Sequence, residues 1–310
     1  KDVWWKDIQD LLVNWNQPFS SYAIFNYNAT TKPPFETGEF FVAKGNVPTK
    51  VAYEHLDRGI ELGLHGYNHV SPTFQKSAIN AFVWSSKEEL EVGFTHAKNE
   101  WIRLLGEYSL PRTYVAPHNI ISSEGVEILH KVFPSIKSIS TLRSGEGEEE
   151  KHDFGPHPDF PGIYMMPRIT SGYLFTPEIK SSAVSGIVGP GLWSHFIHGD
   201  DVFDSYRSQG KSWDELKVEF DSMLDFVRKN YPWLRPVNAY NGYLAMMEFD
   251  DIGAEFKFIN EDLVVNTSAP GLIFRMRFDG KTIKSITGGT LLYSYKSLAA
   301  AVIQADEASV

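Results

Sequence analysis

The stretch 59-GIELGLHGYNHVS-71 decides how the chain reads. A short apolar run punctuated by glycine closes on His65, and His69 follows after Gly66-Tyr67-Asn68. Such a run, bounded by turn residues, is the pattern of a buried strand. Two imidazoles just beyond a strand end can swing toward one point, and neutral imidazole is a good zinc ligand. By spacing alone, a His-x-x-x-His pair is more often two ordinary loop histidines.

Working outward, strands and helices alternate. The spacing of Trp4, Ile8, Leu11, Leu12 and Trp15 predicts an amphipathic helix over 2–15, and 21-SYAIFNY-27 reads as a strand. A helix from Lys50 runs into the strand 60–66. A long helix over 86–108, with Ser85 or Ser86 as cap and Glu88 and Glu89 in its first turn, comes next. A strand over 112–118 is stopped by Pro117. Then come a helix over 124–133, strands over 136–140, 163–168 and 191–202, and a helix over 212–231. The polar, acidic segment 143–162 reads as a solvated insertion. This alternation predicts a parallel sheet, open or closed into a barrel, with the active site at the carboxyl ends of the strands. His65, Pro117-His118-Asn119 and His198-Gly199-Asp200 all fall at such ends.

After residue 236 the texture changes. Residues 255–289 alternate apolar and polar positions between Asn, Pro-Gly, Asp-Gly and Gly-Gly, the signature of antiparallel hairpins. The expected organisation is an α/β domain over 1–236 and a β-rich accessory domain over 237–310.

Composition removes several classes of function. The net charge is −10 with no evident basic face, which argues against nucleic acid and anionic membranes as partners. No apolar run approaches the ~20 residues of a membrane span. There is no cysteine, so thiolate metal sites and disulfides are out, and a metal would rely on His, Asp or Glu. Aromatics make up 14 %; rings such as Trp193, Tyr173 and Phe196 could pack on sugar, but core packing is the larger expectation for each.

The stretch 59–71 resembles the second motif of the polysaccharide deacetylases (carbohydrate esterase family 4): a Gly-x-Glu-Ile-Gly-x-His strand followed by a second histidine. Gly59, Glu61, Gly63, His65 and His69 match, with Leu62 in place of Ile. The resemblance implies that His65 and His69 hold a divalent metal, most commonly zinc. The family's third motif, Arg-x-Pro-Tyr-Gly, is similar to 114-YVAPHNIIS-122, where Pro117 is kept, Val115 stands for the Arg and His118 for the Tyr. Pro117, His118 and Asn119 would then form a wall of the substrate groove. His118 reads equally as a substrate or metal contact and as a loop histidine. The fifth motif, Leu-x-His, is similar to 196-FIH-198 and implies His198 as general acid, supported by Asp200 and Asp201. His195 is its rival, but on a strand the two point to opposite faces.

The family's first motif, which carries an Asp pair, is absent. In the family that motif directly precedes a helix and a strand like those over 2–27, so it would fall ahead of Lys1, with the first strand of the barrel; the alternative is a degenerate domain that never had the Asp pair. The arrangement over 1–235 is most similar to divergent exopolysaccharide deacetylases such as the Pel polysaccharide deacetylase. It implies a distorted (β/α)7 barrel, a secreted or cell-envelope location, and N-deacetylation of an amino-sugar polysaccharide. Trp193 and Phe196 would pack on sugar rings. The competing expectation is a non-catalytic carbohydrate-binding or scaffold domain with a residual metal site.

Overall fold

The computed structural model describes residues 4–27, 29–35, 47–76, 82–143, 151–278, 281–295 and 300–306. The chain divides into two compact units, Lys1–Tyr243 and Leu244–Val310.

The first unit is built on a parallel sheet. Helix α1 (Trp4–Asn14) leads to β1 (Ser20–Ala23), and α2 (Val47–Asp57) leads to β2 (Glu61–Leu64). Helix α3 (Lys87–Leu105) leads to β3 (Thr113–Val115), and α4 (Ser123–Val132) to β4 (Ser138–Ser140). Strand β5 (Gly155–Pro156) turns back against β6 (Tyr164–Met165), giving the order β1-β2-β3-β4-β6-β5 with only β5 antiparallel. The β6 path holds its register beside β4 through the Leu142–Arg168 bridge. It then becomes β7 (Thr170–Ser171), which pairs in parallel with β8 (His195–Phe196). The described strands of this unit therefore form a mostly parallel six-stranded sheet and a separate two-stranded parallel sheet of β7 and β8.

The helices form where caps and apolar stripes coincide. Ser86 accepts a hydrogen bond from the Glu89 amide at the start of α3, and Leu90, Phe94, Ala97, Trp101 and Leu104 fall on its buried face. Ser122 caps α4 in the same way. Helix α7 (Trp213–Asn230) opens with a reciprocal capping box between Ser212 and Glu215. Helices α3 and α4 cover one core with β2–β4, while α1 and α7 enclose a second around Tyr173, Phe220 and Met223. Tyr173 is thus core, 2 % exposed between Trp213 and Phe220.

Three helices lie where none was expected. Helix α5 (Pro177–Val188) is capped by Thr176 with Pro177 in its first turn. Its Ser, Ala and Gly content gives little amphipathic contrast. Between α5 and α7 lies the single-turn α6 (Ser205–Ser208), and α8 (Ala239–Asp251) occupies the stretch read as a boundary. Of the acidic insertion, residues 144–150 lie outside the described residues. The remainder folds back on the sheet through β5 and buries His157.

The second unit contains the hairpin β9 (Ala254–Ile259) and β10 (Asp262–Thr267). It also contains an antiparallel sheet of β11 (Ile273–Arg277), β12 (Gly289–Tyr295) and β13 (Ala300–Ala305), in the order β11-β13-β12. Asn260 turns the hairpin with φ 57°, and the Asp279-Gly280 turn lies outside the described residues.

Candidate functional site

Four histidines gather at the carboxyl ends of the strands. His65 follows β2 directly, and its main-chain amide donates to the Ala23 carbonyl at the end of β1. Its Nδ1 lies 2.8 Å from the Val115 carbonyl. A carbonyl only accepts, so Nδ1 carries the proton and Nε2 keeps its lone pair. Burial lowers the His65 pKa to about 4 against the opposing pull of that hydrogen bond, with His198, His118 and Arg168 adding to the lowering. His69 packs 5.1 Å from His65, ring centre to ring centre, with Tyr27 stacked on it at 4.9 Å. Burial, then His65, His118 and His198, lowers its pKa to about 3. Both rings are neutral near pH 7, the form that coordinates a metal.

His118 completes the group, 4.4 Å from His69. The Ser71 hydroxyl donates to the Pro117 carbonyl at 2.8 Å, so toward His118 Nδ1, 3.3 Å away, Ser71 acts as acceptor. This again leaves an Nε2 lone pair free of that contact. The segment Pro117–Asn119 is a tight 3-10 turn in which His118 and Asn119 both have positive φ, 52° and 65°. Left-handed backbone at two successive non-glycine residues stores strain, a feature that concentrates at functional sites.

From the far end of the sheet come His198 and Asp201. The Nδ1 of His198 lies 3.5 Å from Asp201 Oδ1, and Arg207 donates to the same oxygen at 2.9 Å. Burial pushes the Asp201 carboxyl up, but the His198 and Arg207 hydrogen bonds outweigh it and hold the group below the usual carboxylate range. Asp201 is 3 % exposed while the His198 side chain is 44 % exposed, so a fixed anion holds a reachable ring. Asp200, one residue earlier, lies near enough to raise the pKa of Tyr27, whose burial is the larger cause.

His195 has a different fate. Its Nε2 donates to the Gly172 carbonyl at 2.8 Å, and its Nδ1 accepts from the Thr170 hydroxyl, which in turn accepts from the Trp193 indole N–H. Both ring nitrogens are spent on joining β7 to β8. Trp193 belongs to this clamp. Phe196 stacks on Tyr22 of β1 at 6.3 Å and lies under the Arg168 guanidinium at 5.7 Å.

Several residues of the rim gave no sequence signal. Arg168, Arg207 and Tyr27 are single residues with no motif around them, and Ser71 closes the stretch 59–71 without a role of its own in that motif. Only the topology brings them to the histidines. Glu61, matched on motif alone, is a buried tie: it accepts from Ser20, Thr113 and the Tyr240 amide at 2.6, 2.8 and 2.9 Å.

Two neutral imidazoles with a free lone pair fit part of a zinc site, which takes three protein ligands when catalytic and four when structural. Among the described residues, no group of three His, Asp or Glu side chains is arranged to hold a metal ion. Among them also, no helix is long and apolar enough to cross a membrane.

Among solved structures, the chain is similar to a protein described as a candidate polysaccharide deacetylase from Mycobacterium smegmatis (12 % identity, TM-score 0.44, covering 78 % of this chain and 76 % of that one). It is also similar to the 4-alpha-glucanotransferase from Thermococcus litoralis (14 % identity, TM-score 0.45, covering 78 % of this chain and 36 % of that one). At these values neither likeness assigns a function. No curated protein matches the chain. A family model described as "Uncharacterised protein conserved in bacteria (DUF2194)" matches residues 1–299, and the chain belongs to that family.

Proposed function

We propose that this chain carries the site of a metal-dependent hydrolase that removes N-acetyl groups from an amino-sugar polysaccharide at the cell envelope or outside the cell. The observation that carries the reading is the meeting of His65, His69 and His118 with the His198–Asp201–Arg207 group on one rim of a parallel sheet. His65 and His69 would hold a divalent metal, zinc by the chemistry of the donors. When bound, such an ion supplies a polarised carbonyl and an activated water.

The chain's own groups do the rest. Asp201 aligns His198, which gives its proton to the amine as the amide C–N bond breaks and acetate departs. Arg207 keeps Asp201 anionic, and Asp200 supports the same turn. Pro117, His118 and Asn119 form one wall, and Phe196 and Trp193 offer ring surface for sugar.

A second reading, a carbohydrate-binding domain without catalysis, is favoured by the lack of a three-ligand group among the described residues. Incubating the full polypeptide and zinc with N-acetylhexosamine oligomers separates the two. Release of acetate that drops at least 100-fold in His198→Ala supports the enzyme. Oligomer binding with no acetate released supports the binding domain.

A further inference from the structure

Arg168 shares the rim with the histidines, and among the described residues it has no partner of opposite charge. It ends the β6 path, where its amide donates to the Thr141 carbonyl at 2.9 Å and its bridge to Leu142 fixes the backbone. Its guanidinium lies over the Phe196 ring, 5.7 Å from the ring centre. Among the described residues the side chain makes no hydrogen bond and has no carboxylate within ion-pair distance.

Arg207 is the contrast. It donates to Asp201 at 2.9 Å and lies 3.6 Å from Asp204. Arg168 feels Asp201 only at longer range. Burial lowers its pKa and Arg207 lowers it further, with Asp201 opposing both. A guanidinium stays protonated all the same. The rim therefore holds a half-buried cation that no described side chain neutralises. Withdrawing such a charge from water without a partner is costly. An unmatched charge of this kind calls for a ligand or ion to complete it.

The donor sets the chemistry of that ligand. Arginine presents its N–H groups as a planar fork that matches the two oxygens of a carboxylate. The Phe196 ring below and the bridged main chain behind hold the fork in place. A metal ion is repelled by it, and a neutral hydroxyl leaves its charge uncompensated. Arg168 is near enough to His65 to lower the pKa of that ring, and near enough to Asp201 to be held more firmly protonated by it. An anion on Arg168 thus shares the rim with the imidazole group and with the His198–Asp201 pair.

We propose that Arg168 anchors a carboxylate carried by the sugar chain, so that the polymer taken by this rim is an acidic one, with a uronate or lactyl-type carboxylate on or next to its N-acetylated residue. The inference rests on the polysaccharide reading above and narrows its substrate class. Arg168 acts by binding and moves no proton. Acetate freed by the reaction offers the same carboxylate, and the experiment separates the two sources.

The test uses the full polypeptide and reads binding apart from acetate release. Two oligosaccharides of equal length are titrated by calorimetry: a neutral N-acetylhexosamine oligomer, and one in which N-acetylhexosamine alternates with hexuronate. The acidic oligomer is expected to bind at least about tenfold more tightly, the worth of a charge-assisted hydrogen bond. Arg168→Gln is expected to bring the ratio of the two affinities close to one. Arg168→Lys, which keeps a cation but loses the fork, is expected to retain only part of the preference. The comparison in the unmodified polypeptide needs no variant, so a variant that fails to fold does not shield the proposal. An Arg168-dependent preference without acetate release from either oligomer supports this site and sinks the hydrolase reading. Equal affinity for the two oligomers, no binding of the acidic one, or a preference that survives Arg168→Gln overturns the proposal. So does Arg168-dependent binding of sodium acetate without that preference, which assigns the guanidinium to the product.

Discussion

Replacing Glu61 by alanine tests whether the buried carboxylate is what ties the start of the sheet together. Glu61 is 5 % exposed and joins β1 through Ser20, β3 through Thr113 and the start of α8 through the Tyr240 amide. Alanine leaves three donors facing a void. The two hydroxyls can rotate toward other acceptors, but the Tyr240 amide cannot. An unsatisfied buried donor costs roughly 1–3 kcal/mol, and the lost side-chain volume adds about 1 kcal/mol. The expected loss is therefore about 2–4 kcal/mol, which lowers Tm by roughly 5–15 °C for a unit of this size.

Glutamine is the control. Its oxygen can accept from Ser20 and Tyr240 while its amide group donates to Thr113, whose hydroxyl can reverse its role. A loss of only about 0.5–1.5 kcal/mol is expected, the worth of an ordinary hydrogen bond. The assay is urea unfolding followed by tryptophan fluorescence. All eight tryptophans precede Tyr243, so the signal reports the first unit. Equal losses for Glu61→Ala and Glu61→Gln, or a loss below about 1 kcal/mol for alanine, would refute the reasoning.

Other substitutions separate scaffold from chemistry. A Cβ at Gly63 would lie 2.5 Å from the Tyr22 ring and 2.7 Å from the Thr113 hydroxyl, so Gly63→Ala is expected to destabilise by about 1–3 kcal/mol in the same urea assay. His195→Ala, which breaks the clamp between β7 and β8, should lower stability by about 2–4 kcal/mol, whereas His198→Ala should leave stability within about 1 kcal/mol and remove acetate release. Ser212→Ala removes a capping box and should cost about 1 kcal/mol, measured by the same unfolding. Asp201 has a folded pKa below its unfolded one, so its contribution is full above the unfolded value and is lost as pH falls through the folded value. Asp201→Asn should therefore flatten the acid side of a plot of stability against pH.

The long helices were legible because caps and apolar stripes agree, as at Ser86 and Ser212. Strand positions were legible less well: the run read over 191–202 is a strand only at His195–Phe196, and a turn begins at Gly199. Helix α5 carried a start signal in Thr176-Pro177-Glu178, but its weak amphipathic contrast hid it. Each histidine of the rim was visible as a strand-end residue. Their mutual distances were not, since those depend on which strands neighbour each other. Tautomers were invisible as well, because the Val115 carbonyl that fixes His65 and the Ser71 hydroxyl that faces His118 lie 50 and 47 residues away.

In the proposed function, His65 and His69 are metal ligands on a hydrolase rim. Calorimetric titration of zinc into the metal-stripped full polypeptide, with His65→Ala and His69→Ala alongside, tests it most directly. One zinc per polypeptide is expected, with affinity lowered at least 100-fold by either substitution. Absence of zinc binding to the unmodified polypeptide, or binding that both substitutions leave unchanged, would contradict it.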